Sequence, residues 1–425
     1  MNRRKLLFFC SSALLFSLAG CTSRREKPLA MQEVPPLSPA PPGTFRDVNP
    51  RFSHKGKRIA FVRTYPDRTQ ALFTSDPALK TLHQEREAEI VLPDRPYAPG
   101  RDTLVSPDTI AWSPDDKKLA FTRAVWFDFG GTENFPGTEL WTLDVETGQV
   151  FPLAGRPTKY KGSFFFYKNP VWSEDGKRVA FTGEGLGGQR AIFIRHLDLV
   201  EADDVAPRFD KFEDSDFAVW EPPSVSGKAK SESSSLIFRQ GIRRAPYSPL
   251  TETIRRLRPS ASTPQDTGEL WRLSTHEAQR QVFTRTKKGQ SVIPRLGQLT
   301  PSPSGKRIAF VLIPDALDLK KAELWTMHRD GLYPKRVSPL GVGAFAPTWI
   351  DKDTLAFLSP HQQKFRVKTL SVETGKTRTL GEIETADCDW SPDFSTLVYA
   401  SSSHKGGVGL KVLRVRGRKM LSVKR

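Results

Sequence analysis

A short alternation of apolar and turn-forming residues recurs along this chain. Its clearest copy reads Val171-Trp172-Ser173-Glu174-Asp175-Gly176-Lys177-Arg178-Val179-Ala180-Phe181. An aromatic closes one apolar run, a polar turn follows, and a β-branched or aromatic triplet opens the next. The order returns at Trp112-Ser113-Pro114-Asp115-Asp116-Lys117-Lys118-Leu119-Ala120-Phe121 and at Pro303-Ser304-Gly305-Lys306-Arg307-Ile308-Ala309-Phe310, with looser copies from Phe52, Trp220, Trp349 and Trp390. Gly and Asp suit the reversal because both tolerate positive φ. The triplets, from Ile59-Ala60-Phe61 to Leu397-Val398-Tyr399, predict buried strands. A second hairpin follows most copies, as where Leu140-Trp141-Thr142-Leu143-Asp144-Val145 leads through Glu146-Thr147-Gly148 to Val150-Phe151. Each unit thus predicts four antiparallel strands, a to d in chain order.

Such units, repeated every ~40–50 residues, predict an all-β propeller, in which each blade covers the faces of its neighbours. Residues 45–425 divide into seven copies of roughly 54 residues, within the range for blades with long loops. The fourth copy is irregular, because a polar run from Ser224 to Ser235 replaces its first turn. Seven blades is therefore the expectation, and six plus an irregular segment is the alternative.

The repeats resemble those of TolB-type propellers. The stretches that carry the likeness are Trp172 to Phe181 and Glu323-Leu324-Trp325-Thr326-Met327-His328-Arg329-Asp330-Gly331. It covers nearly all of the chain beyond residue 45 and implies a fold, since the matching residues are scaffold. TolB itself has an α/β domain ahead of its propeller. The first repeat here begins near residue 49, so no counterpart of that domain is expected and TolB's role in envelope maintenance is not carried over.

The N-terminus reads as an address. Asn2-Arg3-Arg4-Lys5 precedes an apolar stretch from Leu6 to Leu18, too short to span a bilayer and typical of a signal peptide. Leu18-Ala19-Gly20-Cys21 resembles a bacterial lipobox. That predicts a signal peptide over 1–20, cleavage after Gly20 and lipidation (palmitate among the acyl chains) of Cys21. Thr22 in place of Asp resembles an outer-membrane destination facing the periplasm. Residues 21–44 hold six prolines and read as an extended tether, ~60–70 Å long at ~3 Å per residue. Of the three cysteines, Cys10 leaves with the leader and Cys21 is lipidated, so Cys388 has no intramolecular partner. It is expected to be a small buried side chain in the innermost strand of the last blade.

Charge changes the picture further. The chain has 65 Lys and Arg against 47 Asp and Glu, a net +18, which falls by three to +15 when Arg3, Arg4 and Lys5 leave. A basic exported domain favours an acidic envelope protein or an anionic envelope polymer. Export argues against nucleic acid as its partner. A monomer is expected.

In an up-and-down blade the a–b and c–d turns emerge on one face, and the b–c and d–a loops on the other. The long insertions read as b–c or d–a: Arg123 to Thr138, Gly183 to Arg190, Arg239 to Gly268, Leu312 to Ala322, Pro93 to Thr103 and Gly155 to Lys168. Loops on a rigid scaffold tend to hold function. The candidate binding face is therefore Trp126, Phe127, Phe129, Tyr167, Arg243, Arg244, Arg255 and Arg256. Aromatics and Arg are enriched at protein interfaces.

No catalytic residues are identified. There is no Gly-x-Ser-x-Gly, His-Glu-x-x-His or Cys-x-x-Cys, and the seven His are dispersed. Peptidases with similar propellers add a hydrolase domain, for which no room is expected before Arg425. Neither cofactor nor metal is expected. The sequence favours a non-enzymatic protein-binding platform. A glycan binder and a propeller enzyme, such as a polysaccharide lyase or glycosidase, are the alternatives.

Overall fold

The fold follows from how each cassette closes. Ser113, Ser173 and Ser391 donate through Oγ to the Asp two residues on, at 2.6, 2.5 and 2.6 Å. The same oxygens accept the N–H of Lys118, Arg178 and Thr396 at 2.8–3.0 Å. Positive φ falls where the turn needs it, at Gly56, Gly176 and Gly305, and at Asp116 and Phe394 in the corresponding place. Strand b leaves each turn with its triplet buried, and all seven triplets are at most 6 % exposed.

The computed structural model describes residues 31–34, 45–64, 70–85, 110–128, 134–154, 166–185, 190–197, 210–213, 215–222, 235–242, 251–258, 269–273, 295–313, 319–402 and 408–415. The first strand, β1, is Met31–Val34. Blade 1 is β2 Arg46–Phe52, β3 Ile59–Thr64, β4 Gln70–Ser75 and β5 Leu82–Gln84. Blade 2 is β6 Ile110–Trp112, β7 Lys118–Asp128, β8 Asn134–Asp144 and β9 Val150–Ala154. Blade 3 is β10 Phe166–Trp172, β11 Arg178–Glu184, β12 Arg190–His196 and β13 Asp210–Glu213. Blade 4 is β14 Ser215–Trp220, β15 Leu236–Ile242, β16 Thr251–Arg258 and β17 Glu269–Leu273. Blade 5 is β18 Arg295–Pro301, β19 Arg307–Ile313, β20 Glu323–His328 and β21 Lys335–Arg336, with a 3-10 turn at Leu319–Lys321. Blade 6 is β22 Phe345–Trp349, β23 Thr354–His361, β24 Lys364–Ser371 and β25 Thr377–Ile383. Blade 7 is β26 Cys388–Trp390, β27 Thr396–Ser402 and β28 Val408–Val415. The molecule is a seven-bladed β-propeller.

First strands of successive blades touch: β2 with β6, β10 with β6 and β14, β18 with β14 and β22, and β26 with β2. Strand a is therefore innermost. Five of these strands bulge at one place, before the aromatic that ends them or its equivalent: β2, β10, β14, β18 and β22. Asn49, Asn169 and Ala346 take positive φ there, each followed by Pro. Asn accepts that conformation readily, whereas Ala does not. In blade 5 the place belongs to Gly297, where a Cβ would stand 3.2 Å from Val311.

The cassette tryptophans join the blades. Nε1 of Trp112, Trp172, Trp220 and Trp349 each donates at 3.0 Å to a carbonyl in the preceding blade, on Arg51, Ala111, Val171 and Thr300. Between strands b and c, aromatic pairs stack at Phe61 with Phe73, Phe181 with Phe193, and Phe310 with Trp325. Each inter-blade core is a separate apolar cluster, such as the one joining Ile308, Phe310 and Trp325 to Ile237 and Ile254.

The seam between blades 7 and 1 is built differently. Phe52 stands in the tryptophan position of blade 1. Carboxylates hold the strands instead: Asp387 Oδ2 accepts the N–H of Asn49 and Asp389 Oδ2 that of Phe52, both at 2.7 Å. On the outside, β1 pairs antiparallel with β28, Met31 opposite Val415 and Val34 opposite Val412. Blade 7 thus receives its fourth strand from the other end of the chain. These four residues lie inside the stretch read from sequence as tether.

Candidate functional site

The b–c/d–a face is the one that sequence pattern singled out. Blade 2 projects from it. Strands β7 and β8 have eleven residues each, against six to eight for strands b and c elsewhere among the described residues. Their register runs unbroken from Lys118–Asp144 to Asp128–Asn134. The stretch from Arg123 to Thr138 is thus largely a paired hairpin rather than a loop. Trp126 pairs with Pro136 and Phe127 with Phe135 along this arm.

Around the same face, the ends of the strands hold a girdle of ion pairs. In blade 1 Arg63 Nε meets Asp47 at 2.7 Å, with its guanidinium 3.6 Å from the centroid of Phe45. Burial raises the Asp47 carboxyl above its ordinary value, against the pull of Arg63. Blades 3 to 5 share one network. Lys168 pairs with Glu184, Arg190 lies 3.6 Å from Glu184 and 3.1 Å from Asp216, and Arg239 Nε donates to Asp216 at 2.6 Å. Arg239 also donates to the Leu296 carbonyl of the next blade. In blade 6 His361 and Arg366 meet Glu382 at 3.2 and 3.1 Å. In blade 7 Ser401 and Lys411 meet Glu384. Each acid has a cationic partner, so the girdle braces the blades and presents matched charge.

The other sequence-chosen residues divide. Tyr167 is 8 % exposed, edge-on to Phe181 and Phe193, and its backbone exchanges hydrogen bonds with Thr138 Oγ1 at 2.7 and 2.8 Å. Burial pushes its hydroxyl up to about 12. It is a core residue of blade 3, because the strand it begins turns it into the interface with blade 2. Arg256 is 6 % exposed and donates twice to Glu221, at 2.6 and 2.7 Å, and once to the Arg329 carbonyl. This ion pair sits at the opposite, a–b/c–d end of blade 4. Arg255 is half-buried and donates to Gln240 at 2.8 Å. Both arginines lie in β16, a strand c placed inside what the sequence offered as an insertion. Phe129, Arg243 and Arg244 lie outside the described residues.

Chain length is also not confined to one face. Residues 221–235 join a to b in blade 4, and residues 197–209 and 259–268 join c to d in blades 3 and 4. All three belong to the a–b/c–d face, so the expectation of one variable rim holds only in part.

Cys388 sits in the innermost strand of blade 7, as expected. Burial, then Asp389 and Asp387, push its thiol up to about 12, which keeps it protonated. Among the described residues no group of three or more His, Cys, Asp and Glu could hold a metal ion. A cavity of ≈ 440 Å³ is lined by Thr147, Gly148, Gln149, Val150 and Phe151. Its lining is five consecutive residues around the c–d turn of blade 2. The girdle was missed because its acids fall outside the cassettes; only the repeated acid near the start of strand a, at Asp47 and Asp216, hinted at it.

No protein-family model and no curated protein matches the sequence. Solved structures do. The β-propeller domain of the Trilobed protease from Pyrococcus furiosus matches with TM-score 0.53 and 14 % identity, over 88 % of this chain and 96 % of that one. Pyrococcus horikoshii acylaminoacyl peptidase matches with TM-score 0.50 and 13 % identity, over 88 % of this chain. This chain spans about half of that peptidase, 52 % of its length. TolB from Acinetobacter baumannii matches with TM-score 0.40 and 15 % identity, over 85 % of this chain and 64 % of that one. At such identities the likeness is one of fold.

Proposed function

We propose that this chain is a lipid-anchored protein of the bacterial envelope whose propeller is a non-enzymatic platform for another envelope protein. The carrying observation is the β7–β8 hairpin, a paired arm rising from the b–c/d–a face with Trp126 and Phe127 along it. A backbone already held by cross-strand hydrogen bonds loses little freedom on binding, which favours affinity. Girdle ion pairs of blades 1 and 3 flank blade 2 on the same face, and a polar rim around an apolar centre is the usual anatomy of a protein interface. The net charge, +15 once Arg3, Arg4 and Lys5 have left with the leader, favours an acidic partner. Anchoring is read from the leader and Cys21; two or three acyl chains hold a protein stably at a membrane. The outer membrane, periplasmic side, is the proposed address.

The test replaces residues 125–137 by a two-residue turn and crosslinks the protein in its native envelope. Loss of the captured protein, with the thermal midpoint nearly unchanged, is the expected result. An unchanged set of crosslinked proteins would overturn the platform reading. Metabolic labelling with an alkyne palmitate tests the anchor separately, and Cys21→Ser should abolish the label.

A further inference from the structure

The path of the N-terminal strand orients the whole ring. Strand β28 runs from the b–c/d–a face toward the a–b/c–d face, and β1 runs against it, with Met31 opposite Val415. The chain therefore reaches blade 7 from the a–b/c–d side. Only nine residues, Thr22 to Ala30, separate Met31 from Cys21. Fully extended, that interval spans at most ~35 Å. Strands b and c of six to eight residues make the ring ~20–27 Å thick. A lipid on Cys21 thus reaches a membrane on the a–b/c–d side freely. To place the opposite face on that membrane, the segment would spend most of its length climbing back over the edge of the ring.

The surface beside this point is suited to a headgroup layer. Two blades along the ring, on the c–d turn of blade 5, Tyr333 is 82 % and Leu332 53 % exposed, with Lys335 exposed beside them. Lys376 is exposed on the c–d turn of blade 6 and Arg378 at the start of β25, and Arg414 is exposed on β28 opposite Gln32. The acids of this sector are Asp330, which accepts the Leu332 N–H and faces His328 at 2.9 Å, Asp351, which accepts the Asp353 N–H at 2.9 Å, Asp353, which faces Lys352 at 3.4 Å and Arg307 at 3.8 Å, and Glu373 and Asp393. Asp393 is engaged by Ser391 and Ser395 within its own turn. Tyr and Leu beside long basic side chains match the interface between acyl chains and anionic headgroups, where Tyr is enriched and Lys and Arg extend to the phosphates.

The geometry points to the a–b/c–d face of blades 5 to 7 as a surface that rests on an anionic phospholipid leaflet, leaving the b–c/d–a face and its hairpin turned away. The inference rests on the Cys21 anchor proposed above and adds a direction to it. Membrane contact through this sector also accounts for an exposed Leu-Tyr pair on an otherwise polar turn.

Single-cysteine reporters test the orientation in the lipidated full chain. Tyr333→Cys and Thr374→Cys place a fluorescent label on the a–b/c–d face, and Leu340→Cys and Gln363→Cys place one on the other; the parent chain controls for Cys388. Proteins are reconstituted in phosphatidylglycerol–phosphatidylethanolamine vesicles containing a headgroup-quencher lipid. Labels at 333 and 374 should be quenched several-fold more than labels at 340 and 363. Equal quenching, or the reverse order, overturns the orientation while leaving the anchor intact. Vesicle flotation separates the two readings: a chain that does not float lacks the anchor, and the orientation fails with it. Two reporters on each face guard against one substitution disturbing its turn.

Discussion

Trp172 shows how one side chain serves two blades. Its ring packs against Val179 and Phe181, while Nε1 reaches Ala111 in blade 2. Trp172→Phe retains most of the apolar contact and removes the donor. The loss should be about 1–2 kcal/mol, the net value of one hydrogen bond plus the cost of an unpaired carbonyl. A urea midpoint lowered without change in slope would confirm it, and an unchanged midpoint would refute the clamp. These positions were readable in advance, because the aromatic, the turn and the triplet repeat together; Ile59-Ala60-Phe61 and its six equivalents are all buried. Tyr167 and Arg256 were not. A lone Tyr beside a Phe run gives no sign of which side of a strand it takes. An Arg in a basic stretch gives no sign of a distant acidic partner such as Glu221, which only the folding of blade 4 brings to Arg256.

Among elements, β1 was the hardest to foresee. Four residues between prolines have no periodicity of their own, and what makes them a strand is the open edge of β28. An unpaired edge of this kind exposes backbone groups that another strand can satisfy. The arm formed by β7 and β8 was partly legible: its aromatics were noticed, but their alternation with Pro136 and Gly137 hid the pairing. Strand β16 was hidden by its four charged residues. Gln32 and Arg414 lie directly opposite one another, so Gln32→Cys with Arg414→Cys should form a disulfide that staples blade 7 shut. Closing so long a loop stabilises by up to ~5 kcal/mol, less any strain. The thermal midpoint should rise in the oxidised protein and fall back on reduction. No difference between the two forms would mean that β1 does not occupy this edge.

Across the whole molecule, acid should act through one face. Asp76, Asp115, Asp144, Asp175, Asp330 and Asp393 all lie in a–b or c–d turns and all have carboxyls below their ordinary value. At Asp175 burial pushes upward, but the Ser173 hydroxyl, the Lys177 N–H and Arg178 together outweigh it. A depressed folded value means that stability is fully present above the ordinary carboxylate range and is lost as pH falls through the folded values. Asp47, Asp389 and Glu174 run the other way, since burial raises all three, and each favours the folded state below that range. Six against three predicts a net loss, reinforced by self-repulsion as a basic chain loses its negative charges. The urea midpoint should drop as pH falls from about 5 to about 2, from just above ordinary carboxylate values down through the depressed ones. Asp175→Asn should flatten that drop, and a midpoint independent of pH would refute the turns as its source.

The shared seventh blade also sets an order in time. A ribosome delivers the chain N-terminus first, so β1 emerges long before β28 exists to receive it. Blades 2 to 6 each draw all four strands from one continuous stretch and can form as they appear. The ring cannot shut until Val408–Val415 has followed them. Throughout that interval Met31–Val34 has no β28 edge to pair with, and closure comes as the last event of assembly.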